Sequence, residues 1–254
     1  MSVINVERIK LFSTRSPWWC MVVAAVLSLG LAALATGFLK GDQKQQATIF
    51  MTQGGTSLSQ MVMMVMAALA VTTEYRFGTI RTSFQAVPQR AQLLLGKTVV
   101  VAALAALVGE IAAFGGWGIG KLLASGADLS INTGAEWRLV AGRGLIFFLS
   151  AVVAVAVAIL LRHTAGAIAL LILWPLAVEQ LFSLIPKVGD DMTKWSPFQN
   201  ASAFIAQGND GGLAGSVGDA SNYALGPWMS LLYFAGWAVV LMAIALFTAS
   251  KRDA

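Results

Sequence analysis

Three residues of charged type, Glu110, Arg143 and Glu179, stand alone inside long apolar stretches of this 254-residue chain. An acid or base in such surroundings is costly. It faces a bundle interior or cavity, pairs across helices, or contacts a charged ligand. Other reactive side chains are scarce: one histidine (His163) and one cysteine (Cys20). One histidine cannot supply paired axial haem ligands or an HExxH zinc site, and one cysteine cannot form an internal disulfide or a CxxC pair. Metal and haem chemistry are therefore poor candidates. An intramembrane hydrolase would have to join His163 to a serine such as Ser150. These lie about three turns apart on one predicted helix, so they cannot meet without a partner helix.

The elements that carry these residues are six uncharged or nearly uncharged runs, at residues 18–38, 57–73, 98–120, 139–161, 165–185 and 226–250. A spanning helix needs roughly 20 apolar residues, because about 30 Å of hydrocarbon is crossed at about 1.5 Å per residue. The second run is short, but no charge occurs between Gln45 and Thr73, so it can extend upstream. Composition agrees: 57% hydrophobic, 11% charged, and a mean hydropathy of +0.75. Soluble domains carry roughly 25% charged residues. The expected fold is all-α, a single polytopic membrane domain over residues 1–254 with six transmembrane helices. The first run follows a basic segment, as a signal peptide would. It is longer than the roughly 7–15 residues of a signal h-region, so a retained helix is expected.

The net charge of +5 does not point to nucleic acid, because the basic residues sit at helix ends. There they set orientation and meet anionic lipid. The side holding both termini collects ten Lys and Arg against six on the other, and most acids fall on the second side. The positive-inside rule puts both termini in the cytoplasm. Residues 1–16 predict an interfacial helix with Val6, Ile9 and Phe12 on a charge-free side and Glu7, Arg8 and Lys10 on the other. It should turn into the bilayer at Ser16-Pro17, anchored by Trp18 and Trp19. Residues 186–225 form a long outer loop. Its first half is apolar enough for a short packed helix, and its second half is rich in glycine.

Between the second and third runs lies Glu74-Tyr75-Arg76-Phe77-Gly78-Thr79-Ile80-Arg81, then Pro88-Gln89-Arg90 and Gly96-Lys97. Pro88 ends any helix before it, because its ring disfavours helical geometry at the preceding residue. This pattern resembles the permease subunits of ABC transporters of the type-2 exporter (ABC-2) class. There an acidic residue ends the second span, and a Gly-Thr-(Ile/Leu)-Arg run, a Pro-x-Arg and a lysine follow. The resemblance covers the whole chain and says nothing about cargo. It implies that Glu74, Arg76, Gly78, Thr79, Arg81, Pro88 and Arg90, within residues 74–90, form or support a coupling element for a separate ATPase. It also implies two ATPase subunits carrying ATP and Mg, a second permease chain (identical or homologous), and a bacterial cell membrane. No cofactor is expected in this chain. The alternative reading is a non-catalytic assembly or immunity protein.

Gly96-Lys97-Thr98 imitates the end of a phosphate-binding loop, but Ala91 occupies the first glycine position and no strand precedes it. Glu110, Arg143 and Glu179 are the pathway or gating candidates, with Arg143 pairing to either acid. Two stripes of small residues, Ala24/Ser28/Ala32 and Ala112/Gly116/Gly120, predict close helix packing. Met61, Met63, Met64 and Met66 predict packing too. Pro175 predicts a kink in the fifth span.

Overall fold

The structure is a computed structural model describing residues 3–79, 90–186, 188–208 and 223–252. It has helices α1 (Val3–Ser13), α2 (Arg15–Gly37), α3 (Ile49–Thr52), α4 (Thr56–Arg76), α5 (Arg90–Leu123) and α6 (Gly134–Leu161). A broken fifth span follows: α7 (Thr164–Leu173), a π-helical turn (Trp174–Val178) and α8 (Glu179–Phe182). Then come α9 (Gly189–Lys194), α10 (Pro197–Ala206) and α11 (Pro227–Arg252). No strand occurs among the described residues. Six helical segments are long and apolar enough to cross a membrane, and the second runs from Ile49 to Arg76. The fold is thus the all-helical, six-span polytopic fold that the hydropathy predicts, with the upstream extension of the second span. The glycine-rich half of the outer loop, with Gly212, lies outside the described residues.

Helix α6 is the central post. Two thirds (67%) of its apolar window is buried, against 22% for α2 and for the last span. It packs on α4, α5, α7, α10 and α11. Its ends are well defined. Thr133 and Glu136 form a reciprocal capping box at the start. At the far end Arg162 takes a left-handed conformation (φ 53°), and His163 Nδ1 accepts from Gly166 N at 3.0 Å to cap α7. His163 is therefore a cap, while Ser150 accepts from Gln60 Nε2 at 2.8 Å across α4 and α6. The two are engaged separately.

The predicted small-residue stripes meet each other. Ser28 Oγ donates to Ala112 O at 3.1 Å, and a Cβ on Gly116 would press on Thr52 O and Ala32. Ser59 Oγ donates to Ala24 O at 2.5 Å, and Gln53 Nε2 to Ala113 O at 3.0 Å. Where lipid removes the hydrophobic drive between helices, close backbone approach and such hydrogen bonds hold them together. Met63, Met64 and Met66 are buried packing residues. The fifth span departs from α-helical geometry at Pro175, as its ring requires. One boundary differs from expectation. The chain turns at Thr14, in extended geometry, and not at Ser16-Pro17. Pro17 lies in the first turn of α2, where its missing N–H costs no helical bond.

Gly55 marks the tightest approach of α4 to α2. A Cβ there would lie 2.5 Å from Leu27 O and 2.6 Å from Ser28 Cα, both backbone atoms that no rotamer can move. Gly55→Val should destabilise the purified protein by about 1–3 kcal/mol or more. Gly118→Ala, with open space at its Cβ, should be neutral or stabilising by up to about 1 kcal/mol. Thermal melts in detergent measure both, and equal behaviour of the two would contradict the packing.

Candidate functional site

The best-formed polar assembly joins three elements at one end of the bundle. Lys97, in the second turn of α5, is 4% exposed. Its Nζ lies 2.6 Å from Glu7 Oε2 on α1 and 2.8 Å from Glu74 Oε1 near the end of α4. Lys10 Nζ lies 2.9 Å from Glu7 Oε1 and 3.8 Å from Glu74 Oε1. Two acids and two bases give no net charge, so the cluster is self-compensating where single charges would be expensive. It forms one wall of a cleft of about 570 Å³ between α1, α2, α4 and α5, with Leu11, Met66, Leu69 and Val101 among its apolar lining.

Burial alone would raise the Glu7 carboxyl. The charges and hydrogen bonds of Lys97 and Lys10 outweigh it and hold the group below its usual 4.5. The sequence pattern placed Glu7 and Lys10 on the polar side of α1. Glu7 and Lys10 turn inward, onto Glu74 and Lys97, with Leu11 buried beside them, while Arg8 of the same side is exposed. Ile4, Val6 and Ile9 are left outward and exposed, as are Trp18 and Trp19. Val3 presses on Gly96 of α5.

The predicted coupling residues leave from this cluster. Glu74 is a member of it. Arg76, the last residue of α4, is exposed, with its guanidinium 5.6 Å from the Phe77 ring centroid. Gly78 turns the chain with φ +70° and donates from N to Tyr75 O at 3.3 Å. This is the left-handed stop that favours glycine after a helix. Thr79 is exposed, and its hydroxyl donates to Glu74 O at 3.5 Å. Arg90 begins α5. Arg81 and Pro88 lie outside the described residues. Lys97, which a phosphate-binding loop would need for phosphate, is bonded to Glu7 and Glu74 in mid-helix.

Of the three membrane-embedded candidates, Arg143 and Glu179 line one cavity without pairing, and Glu110 is not in its lining. Glu110 lies half-buried on α5 against Gly144, where a Cβ would collide with its carboxylate. Glu179 is buried, but its partners are not arginine. Oε1 accepts from Phe198 N at 3.0 Å and from Trp174 Nε1 at 3.1 Å, and Oε2 accepts from Gln199 N at 2.9 Å. It thus caps the N-terminus of α10. At the opposite end of that helix Arg138 donates from Nε to Phe204 O at 2.7 Å and from Nη2 to Gln207 O at 2.5 Å. An acid at the positive end and a base at the negative end complement the α10 dipole. Arg143 is buried on α6 and forms no ion pair with Glu110 or Glu179, so the expected pairing is corrected. The reason is geometric, since backbone amides of α10 and the Trp174 indole already hold Glu179.

Six apolar spans, one of them the central post, with charge gathered at helix ends, define a multi-pass membrane protein. A family model described as ABC-2 family transporter protein matches residues 3–177, and the chain belongs to that family. It is accordingly a transport permease, the membrane component that works with ABC ATPase partners and not itself the catalytic subunit. No curated protein matches the chain. The matched region contains α1, the ion cluster and the first four spans.

Lys97→Met should leave Glu7 and Glu74 with only the half-buried Lys10 between them and cost up to about 3–5 kcal/mol, the range for breaking a buried pair. Adding Glu7→Gln should recover part of that loss in detergent melts. Glu7 has a lowered folded pKa, so its contribution is present above pH 4.5 and is lost as pH falls below it. Release of α1, read by limited proteolysis, should therefore increase on acidification through that range, and less so in Glu7→Gln. A Lys97→Met protein as stable as wild type would show that the cluster does not hold α1.

Proposed function

We propose that this chain is the transmembrane subunit of an ATP-driven exporter in a bacterial cell membrane, with both termini cytoplasmic. Residues 74–90 dock on a separate ATPase, and two permeases with two ATPases make the working unit. The second permease is a copy of this chain or a homologue. The observation that carries the reading is the ion cluster. It ties α1 to both helices that flank residues 80–89, so a push on that segment reaches three elements at once. Docking then biases one two-state arrangement of the bundle, which is how a remote contact does work. Ile4, Val6, Ile9 and the two tryptophans would lie at the lipid interface. Little charge faces the membrane interior, which suits a hydrophobic or amphipathic cargo better than a strongly charged polymer. Glu110 is the candidate gating residue, because an acid beside Gly144 sits where α5 and α6 would slide.

Gly78→Pro forces φ to about −65° where the chain needs a positive value, and it removes the N–H that reaches Tyr75. Together with Arg81→Glu it tests the coupling assignment. In vesicles holding the complex, transport should fall about tenfold or more, within the roughly 5–150-fold of typical coupling energies. Membrane insertion and ATP hydrolysis should persist. Normal transport by both variants would remove the coupling role. Orientation has its own check, in a Cys20→Ser background with single cysteines at Gln85 and Gly212. An impermeant thiol reagent applied from outside should label Gly212→Cys and spare Gln85→Cys, and the reverse pattern would invert the topology.

A further inference from the structure

A second cavity, of about 170 Å³, lies between α4, α6, the π-helical turn and α10. Arg143 and Glu179 both line it, and they are not equivalent. The Glu179 carboxylate is committed to the first amides of α10 and to Trp174, so its charge is met by the positive end of that helix. Arg143 is 5% exposed, and among the described residues it makes no ion pair and its buried Nε has no hydrogen-bond partner. The guanidinium is the surplus charge of the cavity. Its helix begins at Gly134, so it lies about 13 Å along the helix at about 1.5 Å per residue. A cation inside a membrane bundle is costly, and it faces a cavity, an acid or a ligand.

The mouth of the cavity is polar and exposed, formed by Ser57, Gln180 and Ser202. Phe198 is a wall shared with an apolar groove of about 440 Å³ that runs along α6, α7 and α11 and includes Val157, Leu171, Trp174 and Trp237. A charged pocket and an apolar groove on two sides of one ring match the two halves of an amphiphile.

We propose that Arg143 binds the anionic oxygen group, a carboxylate or phosphate, of an amphiphile whose apolar chain lies over Phe198 in the adjoining groove. A planar guanidinium with a free edge offers paired N–H donors to two oxygens of such a group, and these charge-assisted bonds are the strong ones. The apolar groove favours an amphiphile over a free small anion. As a cargo contact the site rests on the transport reading above; as a binding site it stands without it.

The experiment uses the purified full chain in phosphatidylcholine nanodiscs, without ATPase, so its outcome is independent of the coupling test. Radiolabelled dodecanoate, dodecanol and acetate are the probes. Dodecanoate should bind saturably, and dodecanol and acetate about tenfold more weakly or worse, as expected for loss of one charge-assisted contact or of the chain. Arg143→Met should weaken dodecanoate by about tenfold or more and leave dodecanol unchanged, while Arg143→Lys, which keeps the charge and loses the paired donors, should fall between Arg143→Met and wild type. Removing a cation that has no protein partner should not lower the melting temperature. Equal binding of dodecanoate and dodecanol, or undiminished binding by Arg143→Met, would overturn the site. Acetate binding as tight as dodecanoate would overturn the amphiphile as occupant. A clear loss of stability in Arg143→Met would show a structural arginine bridged to Glu179 through water, and would overturn it too.

Discussion

The hydrocarbon core gives a peptide group no partner, so each backbone N–H and C=O there must be satisfied within the chain. The helical content of this protein follows from that constraint, and so does the placing of its irregularities. The break between α3 and α4 is tolerated because its own amides close turns, Gln53 N donating to Phe50 O, Gly54 N to Met51 O and Thr56 N to Gln53 O. The π-helical turn at Trp174–Val178 is steadied by the Trp174 indole on Glu179. The left-handed Arg162 ends α6 where His163 can begin α7 at once. Each departure from the helix carries its own hydrogen bonds.

Charge is treated under the same constraint, in three ways. Glu7, Lys10, Glu74 and Lys97 cancel one another in a compact cluster. Glu179 and Arg138 are set against the two ends of α10, a helix short enough for both ends to be reached from the bundle. Arg143 is matched by neither device. The cluster and the helix clamp have structural explanations complete in themselves. The lone guanidinium does not, and for that reason it is a better guide to ligand chemistry than the more numerous charges elsewhere.

Much of the fold was legible because hydropathy acts on single segments. Six runs, the small-residue stripes and the Pro175 kink each report local chemistry that lipid enforces. What the sequence hid was pairing. The polar side of α1 reads as a solvent face, since periodicity shows which residues share a side and not what covers it. A faint signal existed. Glu7 is the only acid before Asp42, and Glu74 the only one between Asp42 and Glu110, both on the basic side of the chain. Rare acids among many cations seek buried lysine partners, and Lys97 sits within the helical run that follows. The Arg143–Glu179 pairing was attractive for its opposite charges alone. It failed because α10, an element of the loop before the last span, competes for the same carboxylate with two backbone amides.

Helix α4 connects the two polar sites. It carries Gln60 and Met64 at the Arg143 cavity and Glu74 in the ion cluster. The fourteen residues from Gln60 to Glu74 span about 21 Å at about 1.5 Å per residue. Along that length α4 is continuous helix. Its backbone bonds are closed within itself, so it tilts or slides more readily than it bends. Its N-terminal end is held by the tight contact of Gly55 with α2, and its side by Gln60 on Ser150 of the central post. Under the proposed coupling, a displacement applied at Glu74 would pivot near Gly55 and change the wall of the cavity that Gln60 and Met64 form. The element that receives force at the ion cluster would then also be the element that reshapes the ligand pocket, and no separate relay between them is required.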